Sequence, residues 1–279
     1  MLREVLQTAQ NLSLDVVLGA VVSSMFVANY LSVVVPLPQL VALSIAVWLI
    51  YTADHLFDAR KIPHTAHSER HRFHQQNFRT LLLIWTLVAI MGSVLLIYLP
   101  YDLTQSGLIM VGLVGVYFML IRFLPYLSFL PKELMISVLY TGGIFLAPLY
   151  SYTDQWDSKL LILITQYTLL ALVNVLLISW YEQDMDRKDR HHSFVLAVGS
   201  ANGIRTTKIC LLILYASIAI GIFLFYSSKP FTYVQLLLLL MTFTLQVVVL
   251  YPSFFSKKRR YRIWSDAVFN YPIFYLLLF

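Results

Sequence analysis

The sequence predicts an all-α protein, a polytopic membrane bundle of nine transmembrane helices that forms one domain over residues 1–279. The composition is the first reason, because 59% of the residues are hydrophobic and 12% are charged, whereas a soluble domain carries about 25% charged residues. The second is the length of the apolar runs, which approaches the roughly 20 residues that a helix needs to cross a membrane. The third is the distribution of Lys and Arg, which favours one side of such a bundle.

Nine apolar runs follow one another along the chain, and the last of them is short. The predicted spans are 12–33, 38–57, 79–99, 104–124, 133–151, 159–181, 207–227, 232–252 and 263–279. Cys210 lies inside the seventh span, so we expect a buried and unreactive thiol there.

The cations indicate the orientation of the bundle. If the N-terminus and every second loop share one side, that side carries 18 of the 20 Lys and Arg residues, and Lys159 and Lys229 fall opposite. Loops rich in Lys and Arg face the cytoplasm, so we expect a multi-pass protein of a bacterial inner membrane with a cytoplasmic N-terminus. On the same side, the basic run Lys257–Arg262 is predicted to contact anionic lipids. Nucleic acid is not an expected partner, because the chain lacks a soluble reading surface.

Two acidic segments close apolar helices on the predicted cytoplasmic side. Asp54 and Asp58 end the second span, and residues four apart lie on one face of a helix. Glu182, Asp186 and Asp189 form a similar stripe at the end of the sixth span. A run of mixed charges like the second one is also typical of a solvated helix end, but its duplication favours a shared function.

Facing pairs of carboxylates at one membrane surface suit hard divalent cations. Mg²⁺ binds one or two carboxylates and completes its shell with water and phosphate oxygens. The sequence therefore predicts a Mg²⁺ site for a substrate diphosphate. Its predicted metal ligands are Asp54, Asp58, Glu182, Asp186 and Asp189, of which the first four are also candidate catalytic residues.

The loop between the second and third spans is rich in His and Arg. It is predicted to form a basic lid over an anionic head group, or to supply generic positive charge on the cytoplasmic side. An alternative is a transition-metal site, because His67 and His71 are four residues apart, and His71 and His74 three apart.

These acidic segments resemble the motifs of a known family, the UbiA superfamily of intramembrane prenyltransferases. Asp54-His-Leu-Phe-Asp58 is similar to the first aspartate-rich motif of that family, although it retains only two acids. Glu182-Gln-Asp184-Met-Asp186-Arg187 is similar to the second motif, with Glu in place of its first Asp. In the family these motifs come after the second and sixth helices, and here the two segments end the second and sixth predicted spans.

A third stretch of the chain adds to the resemblance. Tyr117 to Arg122, followed by Leu130-Pro131-Lys132, resembles the family's segment between the fourth and fifth helices, with Ile121 in place of a lysine. The resemblance covers essentially the whole chain by the order and spacing of its motifs, and it implies a UbiA-like bundle of nine helices.

The resemblance also implies an activity, the Mg²⁺-dependent transfer of a prenyl group from a polyprenyl diphosphate to a lipophilic acceptor such as a quinone-precursor ring. The expected diphosphate-binding residues are Arg60, Arg122, Lys132 and Arg187. The expected aromatic residues facing the prenyl chain or its cation are Tyr117, Tyr140 and Tyr181. Two alternatives stay open: a non-catalytic UbiA-like protein for lipid binding or assembly, and a secondary transporter, whose ionisable residues should lie near the bilayer midplane.

Overall fold

The computed structural model describes residues 2–123, 132–189 and 193–278, and all regular structure in these ranges is helical. The predicted all-α class is confirmed. In chain order the α-helices are α1 (Leu2–Asn11), α2 (Leu14–Tyr30), α3 (Leu37–Lys61), α4 (Glu69–Gln76), α5 (Phe78–Leu95), α6 (Tyr101–Phe123), α7 (Lys132–Ser151), α8 (Ser158–Lys188), α9 (Phe194–Val198), α10 (Ser200–Phe225), α11 (Lys229–Leu250), α12 (Pro252–Phe255), α13 (Arg260–Ala267) and α14 (Pro272–Leu278). Short 3₁₀ turns cover Leu96–Tyr98, Lys257–Arg259 and Val268–Asn270.

Six helices of the described ranges are long and apolar enough to cross a membrane, and the protein is membrane-embedded. They are α3, α5 with its 3₁₀ extension to Tyr98, α7, α8, α10 and α11. The first predicted span coincides with the shorter apolar helix α2, and the fourth with α6. The ninth predicted span, 263–279, is divided between α13, a 3₁₀ turn and α14. Pro272 begins α14, where a residue without a backbone N–H interrupts no helical hydrogen bond.

Local signals explain the ends of the helices that carry the acidic segments. The Asp157 side chain caps α8 by accepting a hydrogen bond from the Leu160 amide at 2.9 Å. Pro38 lies in the first turn of α3, and α3 ends at Lys61 because Ile62, which precedes Pro63, is extended. Both acidic segments are therefore helical up to the membrane surface predicted for them.

Helix α8 forms the centre of the bundle and packs against α7, α10, α11 and α13. Its Tyr167 is fully buried, stacks on Phe26 of α2 at 6.1 Å between ring centroids, and meets Phe145 of α7 edge-on at 5.6 Å. Gln166 exchanges two amide hydrogen bonds with Gln235 of α11, at 2.8 and 2.9 Å, so that these buried polar groups are paired. This packing holds the C-terminal end of α8, which carries the second acidic segment.

Candidate active site

The two acidic segments meet at one cavity of about 170 Å³ at the ends of α3 and α8. Its wall has a charged part and an apolar part. The charged residues are Asp54, Asp58, Arg70, Lys132, Glu133, Glu182, Asp186, Arg262 and Asp266. The apolar and aromatic residues include Val16, Tyr51, Ile136, Tyr140, Ala171, Val175, Ile178 and Phe269. A charged region next to an apolar chamber suits an amphiphile with an ionic head.

The first acidic segment is paired with Lys132, the first residue of α7. The Lys132 ammonium lies 3.2 and 3.3 Å from the two carboxylate oxygens of Asp54, and 3.6 Å from Asp58 Oδ2. Lys61 approaches the other oxygen of Asp58 at 3.4 Å. Lys132 was predicted from the sequence as a residue that binds diphosphate, and here it joins the two acids of the first segment.

Glu182 lies on the cavity wall, but its carboxylate is occupied by α13. Arg262 donates to Oε1 at 2.7 Å and to Oε2 at 2.6 Å, and the Tyr261 hydroxyl donates to Oε1 at 2.8 Å. Arg262 is buried, so the expectation that the whole basic run 257–262 contacts lipid is wrong at this residue. A bidentate pair of this kind leaves Glu182 few acceptor positions for a metal ion.

Asp189 is held by the loop after α3 and is not among the residues that line the cavity. The amides of His67 and Ser68 donate to its carboxylate at 3.0 and 3.1 Å, and the rings of His64 and His67 lie 3.3 and 2.9 Å away. Burial alone would raise the pKa of Asp189, but these hydrogen bonds lower it to about 2. The structure therefore separates Asp189 from the four other acids with which the sequence grouped it.

Two buried acids on the cavity wall keep acceptor capacity. Asp186 is 8% exposed, and within the described ranges no hydrogen bond to it is found. Glu133 accepts from the Phe194 amide at 2.7 Å and the Ser179 hydroxyl at 3.4 Å through Oε1, while its buried Oε2 has no partner among the described residues. Glu133 was not predicted as a site residue from the sequence. Its position in the first turn of an apolar helix, next to the predicted diphosphate-binding residue Lys132, could have indicated it.

Charges on the cavity wall do not balance. Six carboxylates against three Lys and Arg side chains leave a formal excess of three negative charges, inside a chain whose net charge is +6. Buried charge without compensation is costly, so the excess favours either binding of a cation or protonation of some of these acids. The oxygens of Asp186 and Glu133 fit a hard divalent ion such as Mg²⁺. The complete predicted set of five ligands does not fit, because Glu182 and Asp189 are occupied elsewhere.

No family model, curated protein or solved structure matches the chain. The resemblance to the UbiA superfamily therefore depends on the motifs, and any functional assignment depends on the chemistry of this cavity.

Several predicted site residues do not line the cavity. Arg60 and Arg187 are exposed, and Arg60 borders a separate shallow depression with Gln75. Tyr181 donates a hydrogen bond to the Val248 carbonyl at 2.7 Å and stacks on Tyr261 at 4.4 Å. Helical geometry explains all three, since residues one or two positions from Asp58, Asp186 or Glu182 point to other faces of the helix.

The remaining predicted residues have different outcomes. Tyr140 lines the cavity and meets Phe269 edge-on at 5.2 Å, and its buried hydroxyl has no hydrogen-bond partner within the described part of the chain. Tyr117 is buried on α6 but is not among the lining residues. The side chain of Arg122 lies outside the described residues.

The His- and Arg-rich loop contributes one histidine and one arginine to the cavity, of which the sequence singled out His71 only as a candidate transition-metal ligand and did not single out Arg70. Helix α4 places Arg70 and His71 on the cavity wall. The Arg70 guanidinium lies 3.1 Å from His55 Nε2 and donates to the Gln10 carbonyl at 2.8 Å. Burial, and then the charge of Arg262, lower the pKa of Arg70 to about 10, so this side chain remains a cation at neutral pH.

Proposed function

We propose that the protein is an intramembrane prenyltransferase, which transfers a prenyl group from a polyprenyl diphosphate to a lipophilic acceptor. The observation that carries the proposal is the single cavity shared by both acidic segments, with charged groups beside an apolar and aromatic wall. A prenyl diphosphate has the same division, since its anionic head is attached to a hydrocarbon tail. The acceptor, for which the family resemblance implies a quinone-precursor ring, has to reach the cavity through the membrane.

The proposal includes a UbiA-like bundle of nine spans. In this bundle α2, α6 and the C-terminal segment are three further spans beside the six long apolar helices. It also includes a bacterial inner membrane, with the N-terminus and both acidic segments in the cytoplasm. Supporting this orientation, 18 of the 20 Lys and Arg residues fall on the side of the acidic helix ends. The apolar part of the cavity then faces into the bilayer, where an isoprenoid tail is soluble.

The chain's own residues have distinct roles in this proposal. Asp186 and Glu133, with Asp58 nearby on the same wall, would hold Mg²⁺. Bound Mg²⁺ would supply neutralisation of the diphosphate oxygens as the carbon–oxygen bond breaks. Lys132 and Arg70 would bind the anionic head and orient it. Tyr140 would face the allylic carbon, where its ring stabilises positive charge until the acceptor attacks and loses a proton.

Turnover by the purified protein tests the proposal. Protein in detergent or lipid nanodiscs is incubated with Mg²⁺, a panel of prenyl diphosphates and lipophilic aromatic acceptors, and the prenylated product is measured. We expect Asp186→Asn to lose at least about a hundredfold in rate, because it removes part of the charge stabilisation that amounts to several kcal/mol. Asp184→Asn, an exposed acid two residues away on α8, is the matched control and should keep the parental rate.

A non-catalytic UbiA-like protein is the second candidate, and the ion pairs at the cavity favour it. Lys132 and Arg262 already pair with three of the predicted metal ligands, Asp54, Asp58 and Glu182. Such a protein would bind a prenyl diphosphate or another anionic lipid without forming product. Saturable binding across the panel with no turnover in any donor and acceptor combination would favour this candidate over the enzyme.

A further inference from the structure

A second polar cluster lies outside the cavity, where the loop after α3 meets the end of α8. It consists of His64, His67 and Asp189, and one ligand atom from each lies within 4.8 Å of the others. Asp189 Oδ1 is 2.9 Å from His67 Nδ1 and 3.3 Å from His64 Nε2. This combination differs from the His67, His71 and His74 spacing considered in the sequence, because the partner carboxylate comes from a helix more than 120 positions further along the chain.

The spacing of these atoms is close to that of a metal centre. Zinc bonds to His nitrogen and carboxylate oxygen are about 2.0–2.2 Å long in a tetrahedral site, which puts neighbouring ligand atoms about 3.3 Å apart. Shifts of the two imidazole rings would therefore suffice to admit an ion. Two nitrogens and one oxygen select zinc or a similar transition metal rather than Mg²⁺, which prefers oxygen ligands.

The carboxylate of this cluster is positioned in advance. The amides of His67 and Ser68 donate to Asp189, and its side chain is 1% exposed. Hydrogen bonds of this kind orient metal ligands in known sites. The imidazoles of His64 and His67 are 40% and 46% exposed, so an ion could enter from water. His71 Nδ1 lies 3.9 Å from Asp189 Oδ2, and it or a water molecule could complete the coordination.

We propose that His64, His67 and Asp189 form a binding site for a zinc-class transition metal ion, which fastens the loop after α3 to the end of α8. The bound ion would restrain α4, the helix that brings Arg70 and His71 to the cavity wall. This site is separate from the diphosphate cavity and does not depend on the prenyltransferase activity.

Metal titration of the full-length protein tests this site. The protein is purified in detergent, freed of any affinity tag, stripped with a chelator and titrated with Zn²⁺ against a competing indicator, and with Co²⁺ followed by its visible absorption. We expect one Zn²⁺ per chain, a tetrahedral Co²⁺ spectrum, and no displacement by excess Mg²⁺. Zn²⁺ should also raise the unfolding temperature, because it binds the folded state.

Ligand variants distinguish the metal site from plain hydrogen bonds between the imidazole rings and Asp189. His64→Ala and His67→Ala remove exposed side chains, and each should lower Zn²⁺ affinity at least about tenfold. Loss of a residue that only hydrogen-bonds to a metal ligand already lowers affinity by about 10–100-fold, so loss of a ligand itself should cost no less. Asp184→Asn, on the exposed side of α8, should leave the affinity unchanged. Failure of the parent to bind Zn²⁺ stoichiometrically, or equal binding by a double His64→Ala, His67→Ala variant, would overturn the proposal.

Discussion

At the scale of the residue, the nearest cation decides whether a buried acid keeps free acceptor positions. Glu182 and Asp186, one helical turn apart on α8, show this difference. Arg262 donates three hydrogen bonds to the Glu182 carboxylate, one from Nε and two from a single terminal nitrogen. Asp186 is also buried, yet no hydrogen bond to it is found in the described ranges. The same residue chemistry therefore provides a structural ion pair at one position and a candidate ligand at the next.

Loss of the Arg262 guanidinium should destabilise the fold strongly. Arg262→Met leaves the buried Glu182 carboxylate without its cation, and removal of one partner from a buried pair costs about 3–5 kcal/mol. Thermal unfolding in detergent, detected through the exposure of buried groups, measures the loss of stability. Arg260→Met is the matched control from the same basic run. Arg260 lies 4.3 Å from the Phe254 ring, so its loss should cost only about 0.5–1 kcal/mol, and equal costs would contradict the buried pair.

His74 should make the helix α4 sensitive to acid. It is fully buried and its Nδ1–H donates to the Arg70 carbonyl at 2.8 Å. Burial, together with the charges of Arg70 and His71, lowers the pKa of His74 to about 4. Between pH 6.5, the ordinary pKa of histidine, and pH 4, His74 binds a proton when α4 is locally unfolded but not when α4 is folded. Stability is therefore complete above pH 6.5 and is lost as the pH falls, by at most about 1.4 kcal/mol per unit.

Hydrogen exchange of residues 69–76 at pH 7 and pH 5 measures this acid sensitivity. Exchange, corrected for its intrinsic pH dependence, should indicate a less stable α4 at pH 5 in the parent. His74→Asn keeps an amide donor near the Arg70 carbonyl but does not titrate, so the difference between the two pH values should shrink. A pH difference of the same size in His74→Asn would assign the effect to other groups of α4.

At the scale of the element, the amide side chain of Gln75 holds the first part of the segment between α3 and α4, whose later residues His67 and Ser68 are held by Asp189. Gln75 Nε2 lies within hydrogen-bonding distance of the carbonyls of Ala59, Ile62 and His64, and its Oε1 accepts from the Ala66 amide at 2.9 Å. A loop without regular structure needs such partners for its backbone groups. The path of residues 62–66 therefore depends on Gln75.

Removal of this side chain should loosen the loop without unfolding the bundle. We expect Gln75→Ala to raise amide exchange and protease cleavage in residues 62–68, at a cost of about 1–3 kcal/mol for the buried groups left unpaired. The neighbouring exposed Gln76→Ala should leave both readouts at parental values. Unchanged protection of 62–68 in Gln75→Ala would show that the loop is held by other contacts.

A close approach between α2 and the 3₁₀ turn Val268–Asn270 shapes the apolar end of the cavity. A Cβ added at Gly19 would lie 2.8 Å from Phe269 Cβ and 3.3 Å from the Tyr140 hydroxyl. The Ser23 hydroxyl on the same helix donates to the Phe269 carbonyl at 3.1 Å. The turn therefore cannot move away from α2 without losing this bond.

Gly19→Ala should thus destabilise the protein by about 1–3 kcal/mol, the usual cost of overpacking a core, and displace two residues of the cavity wall. Thermal unfolding in detergent measures the change. Gly115→Ala on α6 is the control, because no atom lies within 4 Å of a Cβ there, and alanine favours a helix over glycine by about 1 kcal/mol. A stable Gly19→Ala variant would indicate that Phe269 can shift freely.

For the whole molecule, negative charge is concentrated in the cavity and positive charge around it. The wall has a formal excess of three negative charges, whereas the chain has a net charge of +6. The cations beyond the cavity are expected to meet anionic lipids at the cytoplasmic surface. In the proposed topology, the candidate site and the loops rich in Lys and Arg lie on the same side of the membrane.

Cysteine labelling tests that arrangement across one helix. After Cys210→Ala, a single cysteine is introduced as Ser158→Cys or as Lys188→Cys, at the exposed opposite ends of the 31-residue α8, which are about 45 Å apart. An impermeant maleimide added to spheroplasts should label the first variant, and the second only after lysis. Labelling of both variants before lysis would contradict a cytoplasmic site, and reversed labelling would invert the topology.

The sequence by itself determined the helical class, the membrane location and the two acidic helix ends, because apolar length and helical spacing are properties of neighbouring residues. Arg60 and Arg187, which were selected by charge, lie off the cavity wall because of their positions around the helix, which charge alone does not reveal. Only the tertiary structure decided the state of each acid, since Arg262 approaches Glu182 from 80 positions away. The partners of Glu133 were decided in the same way, since Phe194 and Ser179 reach its carboxylate from 61 and 46 positions away. The physical reason is that pairing energy depends on distances of a few ångströms, which only the folded chain defines.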